Sequence, residues 1–157
     1  MTFLFSRAVL IVSATICALA VTACSPNLGA EATRAETIEF LSGNSVIIGD
    51  GGIYYSPDGS TKAVFPGGKN LSIGRWSFEF ENVLCITERV YYLKDGKTVS
   101  DPSRYCVHYF IQPDGTAYTE EVFDGKVAGS RVLLVPAPVQ GFVYEAKFNS
   151  LRRSLGV

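Results

Sequence analysis

Between residues 44 and 135 the sequence alternates short apolar segments with clusters of glycine, proline, aspartate and asparagine. Alternation with a period of two residues between such turn signals predicts antiparallel strands joined by hairpins. The pattern is clearest in Leu71–Phe80, where Trp76, Phe78 and Phe80 share one side of an extended strand. A shift of register by one residue would expose all three rings, so the register is well specified. The predicted strands are Val46–Ile48, Ile53–Tyr55, Thr61–Phe65, Leu71–Phe80, Val83–Tyr92, Arg104–Ile111, Thr116–Phe123 and Val127–Val135.

About eight short strands with short connections indicate a mainly β fold, either a small antiparallel barrel or a sandwich. Closing the sheet removes exposed strand edges, which favours the barrel. A short helix is predicted before the strands, over Glu31–Leu41, because apolar residues there have helical spacing and Gly43 suits its end.

The tail after the strands, residues 141–157, has a different pattern. On a helix, one side would carry Phe142, Val143, Ala146, Leu151 and Leu155, and the other would carry Lys147, Arg152 and Arg153. A helix packed on the domain is the favoured interpretation. A disordered end and a basic helix that contacts a membrane or a partner remain alternatives.

The amino terminus predicts export. Arg7 precedes an apolar run, Ala8–Val21, that ends in small residues before Cys24, as in a cleaved signal peptide. The segment Val21-Thr22-Ala23-Cys24 resembles the lipobox of bacterial lipoproteins, which implies cleavage after Ala23 and acyl chains on Cys24. An ordinary secretory signal and a retained anchor remain alternatives, although about 14 apolar residues fall short of the roughly 20 that span a bilayer.

The residue after the cysteine bears on the destination of the protein. Ser25 stands where aspartate would favour retention in the inner membrane, so we expect delivery to the outer membrane, with the domain facing the periplasm. The expected organisation is a signal peptide over residues 1–23, a lipidated tether over 24–30, a β domain over 31–140 and the tail.

Composition limits the partners of the mature chain. Removal of residues 1–23 from the 157 leaves about 134 residues, enough for one domain with a real core. Its net charge is about −2, without the basic excess that nucleic-acid binding requires, so we expect no nucleic-acid partner.

The four cysteines separate by position. Cys17 lies in the signal peptide and Cys24 is the acylation candidate, which leaves Cys85 and Cys106 in an oxidising compartment. We predict a disulfide between them, with free thiols as an alternative. Two cysteines and one histidine do not form a structural zinc set, so we predict neither a metal nor a cofactor.

Several motifs occur in a familiar order: Gly43-Asn44-Ser45, Tyr55 to Gly59, Gly74 to Trp76, Leu84-Cys85, Cys106-Val107 and Asp114-Gly115. In the order of these motifs, over residues 36–130, the chain resembles an uncharacterised family of small exported alphaproteobacterial proteins. That family is known only as a domain of unknown function. The resemblance implies an exported setting and supplies no activity. Gly74-Arg75-Trp76 is also similar to the Gly-x-Trp signature of lipocalins, which are ligand-binding barrels. In lipocalins the motif lies on the first strand, so Trp76 is interpreted here as a core anchor.

No catalytic constellation is predicted. His108 is the only histidine and shares a strand face with Arg104 and Cys106, so it is interpreted as a satisfied, partly buried side chain. The adjacent Glu120 and Glu121 would point to opposite faces of a strand and do not form an acid–base pair. We therefore expect that the protein is not an enzyme.

Tyrosine is the remaining candidate for function, with eight copies. Paired tyrosines place one ring on each face of a strand, so Tyr54, Tyr55, Tyr91 and Tyr109 are candidate binding residues. The expected function is that of a lipid-anchored, non-enzymatic binding module of the cell envelope. Its partner would be an envelope protein, a cell-wall component or a small ligand. A periplasmic inhibitor of an exogenous hydrolase such as lysozyme is the alternative.

Overall fold

The computed structural model describes residues 28–123 and 126–157, with residues 127–132 as backbone only. The predicted signal peptide, Cys24 and most of the tether lie outside the described residues. The elements are α1 (Arg34–Leu41), β1 (Asn44–Ile48), β2 (Gly51–Tyr55), β3 (Ser60–Val64), β4 (Leu71–Phe78), β5 (Leu84–Lys94), β6 (Lys97–Ile111), β7 (Ala117–Phe123), β8 (Lys126–Val135), β9 (Val139–Gln140) and α2 (Glu145–Leu155).

All nine strands form one antiparallel sheet that curls into a half-barrel. From β1 to β8 each strand pairs with its neighbour in sequence, and β9 returns to pair with the free side of β1. Tyr55 on β2 and Tyr109 on β6 belong to one buried cluster, although three strands separate them in the sheet. The predicted mainly β, antiparallel fold is confirmed, and it takes the barrel-like form with an open side.

The half-barrel has a lumenal face and an outer face, because side chains alternate along each strand. The lumenal face carries much of the main core, including the fully buried Leu84 and Ile86. Helix α1 contributes Leu41 to this core and defines what we call the α1 end of the half-barrel. Helix α2 packs on the outer face against β3, β4 and β5.

Helix α1 begins three residues later than predicted. Thr33 is its N-cap and forms a capping box with Glu36, so the helix begins at Arg34 and not at Glu31. Glu31 instead lies beside His108 on the sheet.

Strand β6 begins seven residues earlier than predicted. Its first half pairs with β5, so that Pro102 lies opposite Arg89, but β7 reaches only as far as Phe123, and no described strand pairs with the other side of this stretch. An unpaired edge accepts proline and charged side chains, which explains why the sequence there did not predict a strand. Strand β4 ends at Phe78, and Phe80 is 60% exposed, so the expectation that Phe80 shares the buried face is wrong.

The tail forms the packed helix α2, which confirms the favoured interpretation. Its contact face differs from the predicted one, because Phe148 is buried with Leu155 whereas Val143 and Ala146 are exposed. Phe148 packs against Val64 and Leu71 on the outer face of the sheet. Neither helix in the described part of the chain has the length and apolar character needed to cross a bilayer.

The predicted disulfide is confirmed. Cys85 and Cys106 lie directly opposite each other on β5 and β6, with their Cα atoms 4.0 Å apart. The bond lies on the outer face, in a small buried cluster with Val83 and Val122.

Candidate functional site

The inside of the half-barrel contains a cavity of about 580 Å³, which we call the lumenal groove. Its walls come from both edges of the curled sheet, because β1 and β2 supply one side and β7 and β8 the other. Most of the lining is apolar or aromatic: Val46, Ile48, Ile53, Tyr55, Phe65, Tyr105, Val107, Tyr109, Leu133, Leu134, Val135 and Pro136. A volume of this size lies within the range typical of small-molecule sites.

Aromatic contacts close the groove at the α1 end. The ring of Phe40 on α1 lies 6.0 Å from that of Tyr109, and Trp76 meets Tyr55 edge to face at 6.1 Å. The indole Nε1 of Trp76 donates a hydrogen bond of 3.0 Å to the carbonyl oxygen of Ser56, which fixes the ring. Trp76 is thus a half-buried packing residue at the base of the groove, in agreement with its interpretation as a core anchor.

Three tyrosines face one another across this base. Tyr55 comes from β2, and Tyr105 and Tyr109 come from β6, four residues apart on one strand face. Burial raises the pKa of Tyr109 to about 12 and raises the pKa values of Tyr55 and Tyr105 well above their usual range. Hydrogen bonding with the Tyr55 hydroxyl partly opposes the rise for the other two. The three hydroxyls are therefore neutral hydrogen-bonding groups in an apolar setting.

Glu88 adds a carboxyl group to the lumenal face. It is only 8% exposed, and its Oε2 accepts a 2.6 Å hydrogen bond from the hydroxyl of Ser72. Burial raises the pKa of the Glu88 carboxyl, and the hydrogen bond from Ser72 partly offsets this. The side chain has room because its partner on β4 is Gly74, where an added Cβ would lie 2.5 Å from the Cβ of Glu88.

The rim of the groove is exposed and apolar at both edges of the sheet. Ile48 on β1 and Leu133 and Leu134 on β8 are each at least half exposed. Glu121 lies at the rim as well. Together with Glu88 it supplies the charged groups among the described lining residues, which include no lysine or arginine.

The structure divides the four candidate tyrosines between the two faces. Tyr55 and Tyr109 line the lumenal groove, whereas Tyr54 and Tyr91 lie on the outer face near α2. Tyr54 stacks on Phe142 with ring centroids 5.1 Å apart, so its ring is covered by the chain itself. The groove also contains Tyr105 and Glu88, which the sequence did not single out.

His108 lies on the outer face, away from the groove. Its Nδ1 is 2.7 Å from Oε1 of Glu31, and its side chain is 17% exposed. The backbone N–H of Ala32 donates to the carbonyl oxygen of Tyr109 at 2.8 Å, and Gln112 Nε2 donates to that of Leu28 at 3.0 Å. His108 thus helps to hold residues 28–32 against the end of β6, which extends past the first residue of β5.

A second, smaller cavity of about 260 Å³ lies beside the disulfide. Arg104 forms a salt bridge with Glu79 at the wall of this cavity. The Glu79 carboxylate lies within 4.8 Å of both disulfide sulfurs. Since the two sulfurs are bonded to each other, they offer no thiolate to a metal ion.

Comparison of the chain with protein-family models, with curated proteins and with solved structures finds no match. The assignment of a function therefore depends on the geometry of this chain alone.

Proposed function

We propose that the protein is a lipid-anchored, non-enzymatic binding module of the bacterial cell envelope, and that it holds a small amphiphile in the lumenal groove. One observation carries the proposal: an apolar cavity of about 580 Å³ has a buried polar base and an exposed apolar rim. An amphiphile matches that arrangement, because its chain would cover the apolar walls while its polar end meets the hydroxyls and the carboxyl group.

The exposed rim also favours a ligand over a filled core. Contiguous exposed apolar residues are costly in water and commonly mark a binding surface. Ile48 and Leu133 face the lumen of the half-barrel from β1 and β8, on opposite sides of the groove. A chain lying between them would remove both from water, which stabilises the complex through the hydrophobic effect.

The described chain begins within reach of the proposed anchor, at the closed end of the groove. Leu28, the first described residue, is held by Gln112 at the α1 end, and Cys24 precedes it by four residues. Four residues span at most about 14 Å, so an acylated Cys24 would keep the α1 end near the membrane. The open side of the groove would then be accessible from the periplasm. The intact mass of protein purified from membranes tests the anchor, since it should begin at Cys24 and include acyl chains.

Binding is tested with N-phenyl-1-naphthylamine, a neutral apolar dye whose fluorescence rises in apolar sites. Leu133→Lys should weaken binding of the dye several-fold, because it places a charge on the apolar wall of the groove. Leu93→Lys is the matched control, since Leu93 is 59% exposed against 54% for Leu133 but lies on β5 outside the groove. Absence of dye binding to the wild-type protein, or equal effects of the two variants, would refute the proposal.

A further inference from the structure

We propose that the lumenal groove selects amphiphiles whose polar end is a protonated amine over those that end in a carboxylate. This inference deepens the proposed function and rests on it. It concerns the chemistry of the ligand head group, and Glu88 is the residue to which we assign the selection.

Charge complementarity is the first argument. The described lining of the groove contains the carboxylates of Glu88 and Glu121 and no basic side chain. A carboxylate head group entering this lumen would meet like charge in a setting of low dielectric constant, where repulsion is weakly screened. An ammonium group would instead gain a charge-assisted hydrogen bond.

The position of Glu88 is the second argument. The residue is nine-tenths buried on the lumenal face, and Ser72 is its one hydrogen-bond partner found among the described residues, through Oε2. A carboxylate has about four acceptor sites, so one hydroxyl leaves most of its capacity unused. A buried carboxylate with so little compensation is expensive, and a cationic ligand supplies what it lacks.

Four neighbouring lumenal positions form a row across the sheet, and their chemistry supports the binding of the polar end of the ligand beside them. Tyr55, Thr61, Gly74 and Glu88 are successive cross-strand partners on β2, β3, β4 and β5. The Thr61 hydroxyl is fully buried and has no hydrogen-bond partner among the described residues. The polar capacity of this row therefore exceeds what the described chain satisfies, and it lies beneath apolar walls that suit the rest of the ligand.

Competition against bound N-phenyl-1-naphthylamine tests the inference with three ligands of equal chain length: dodecylamine, dodecanol and dodecanoate, each below its micelle concentration. For the wild-type protein at neutral pH, dodecylamine should displace the dye at a concentration at least about ten-fold lower than dodecanoate does, as expected for one charge-assisted hydrogen bond. Dodecanol should displace the dye at a concentration between those of the other two ligands.

Glu88→Gln is the decisive variant, because it keeps an acceptor for Ser72 while it removes the charge. The variant should still bind the dye but should lose the preference for the amine. Glu39→Gln is the matched control, because Glu39 is an exposed residue of α1 outside the groove, and this variant should keep the preference for the amine.

The outcomes separate the inference from the proposed function. Dye binding by the wild-type protein without a preference for the amine, or an unchanged preference in Glu88→Gln, would overturn the inference and leave the groove as a binding site. Failure of the wild-type protein to bind dye would overturn both. If Glu88→Gln does not fold, the ranking of the three ligands on the wild-type protein still decides the question.

Discussion

Two buried threonines allow a sharp test of the lumenal structure. Thr61 on β3 and Thr37 on α1 are both fully buried. The Thr37 hydroxyl donates a 3.0 Å hydrogen bond to the carbonyl oxygen of Thr33, whereas the Thr61 hydroxyl has no partner in the described part of the chain. Valine has nearly the shape of threonine, so the same substitution removes a satisfied hydroxyl at one site and an unsatisfied one at the other.

The expected effects have opposite signs. A buried polar group without a partner costs roughly 1–3 kcal/mol, and replacing it with an apolar group of the same shape removes that cost. We expect Thr61→Val to raise the free energy of unfolding by about 1 kcal/mol and Thr37→Val to lower it by about 1 kcal/mol. Changes of this size correspond to shifts in Tm of about 4 °C for a domain of this length.

Urea unfolding followed by fluorescence of Trp76, the only tryptophan, measures both variants. The m-values should match that of the wild-type protein, so that a change in midpoint reports a change in stability. If Thr61→Val loses as much stability as Thr37→Val, the Thr61 hydroxyl has a partner, and the argument from an unsatisfied polar row is refuted.

Three further outcomes are expected. Reduction of the Cys85–Cys106 bond, whose sequence separation is 21, should lower the free energy of unfolding by about 3 kcal/mol, measured by urea unfolding with and without reductant. Phe148→Ala should cost about 3–4 kcal/mol because this ring is 2% exposed, whereas Val143→Ala, at a residue 47% exposed, should change stability little in the same assay. Burial raises the pKa of Glu88, so the folded state binds the proton of this carboxyl group more tightly than the unfolded state does. The wild-type protein should therefore lose stability relative to Glu88→Gln as pH rises from about 4 through the raised pKa. Unfolding midpoints that differ by the same amount at every pH would contradict that assignment.

The sequence predicted the hairpins well because their turns depend on local chemistry. In the two Pro-Asp-Gly turns, Asp58 accepts a hydrogen bond from the N–H of Ser60 and Asp114 accepts one from that of Thr116. The hydrogen bonds from Ser60 also lower the pKa of Asp58 to about 2. Each such turn is specified within four or five residues, so it is visible without knowledge of the fold.

Elements that depend on distant partners were not predictable in the same way. The first half of β6 is a strand because β5 lies beside it, and β9 is a strand of two residues because β1 has a free side there. Neither segment has an apolar alternation of its own, and proline occurs within or just before each. Pairing with an existing edge overrides the weak local preference.

The site was predictable only in part for the same reason. Tyrosine pairs drew attention to Tyr55 and Tyr109, which do meet inside the half-barrel. The sequence could not distinguish them from Tyr54 and Tyr91, because the choice of inner and outer face depends on which side α2 covers. No sequence pattern distinguishes Glu88 from the other carboxylates, and its burial follows from the curvature of the sheet.

Three departures from what a stable core requires lie side by side on the lumenal face. Thr61, Gly74 and Glu88 are cross-strand neighbours on β3, β4 and β5, and they supply an unsatisfied hydroxyl, a glycine within a strand and a buried carboxyl. Each feature alone costs stability. Local violations of folding rules are expected where a protein needs a particular group for its function, and here the glycine gives the carboxyl group the space that it occupies. It follows that Thr61→Val and Glu88→Gln should both stabilise the domain at neutral pH, while only the second should remove the preference for an amine. A row that served packing alone would not separate stability from ligand selection in this way.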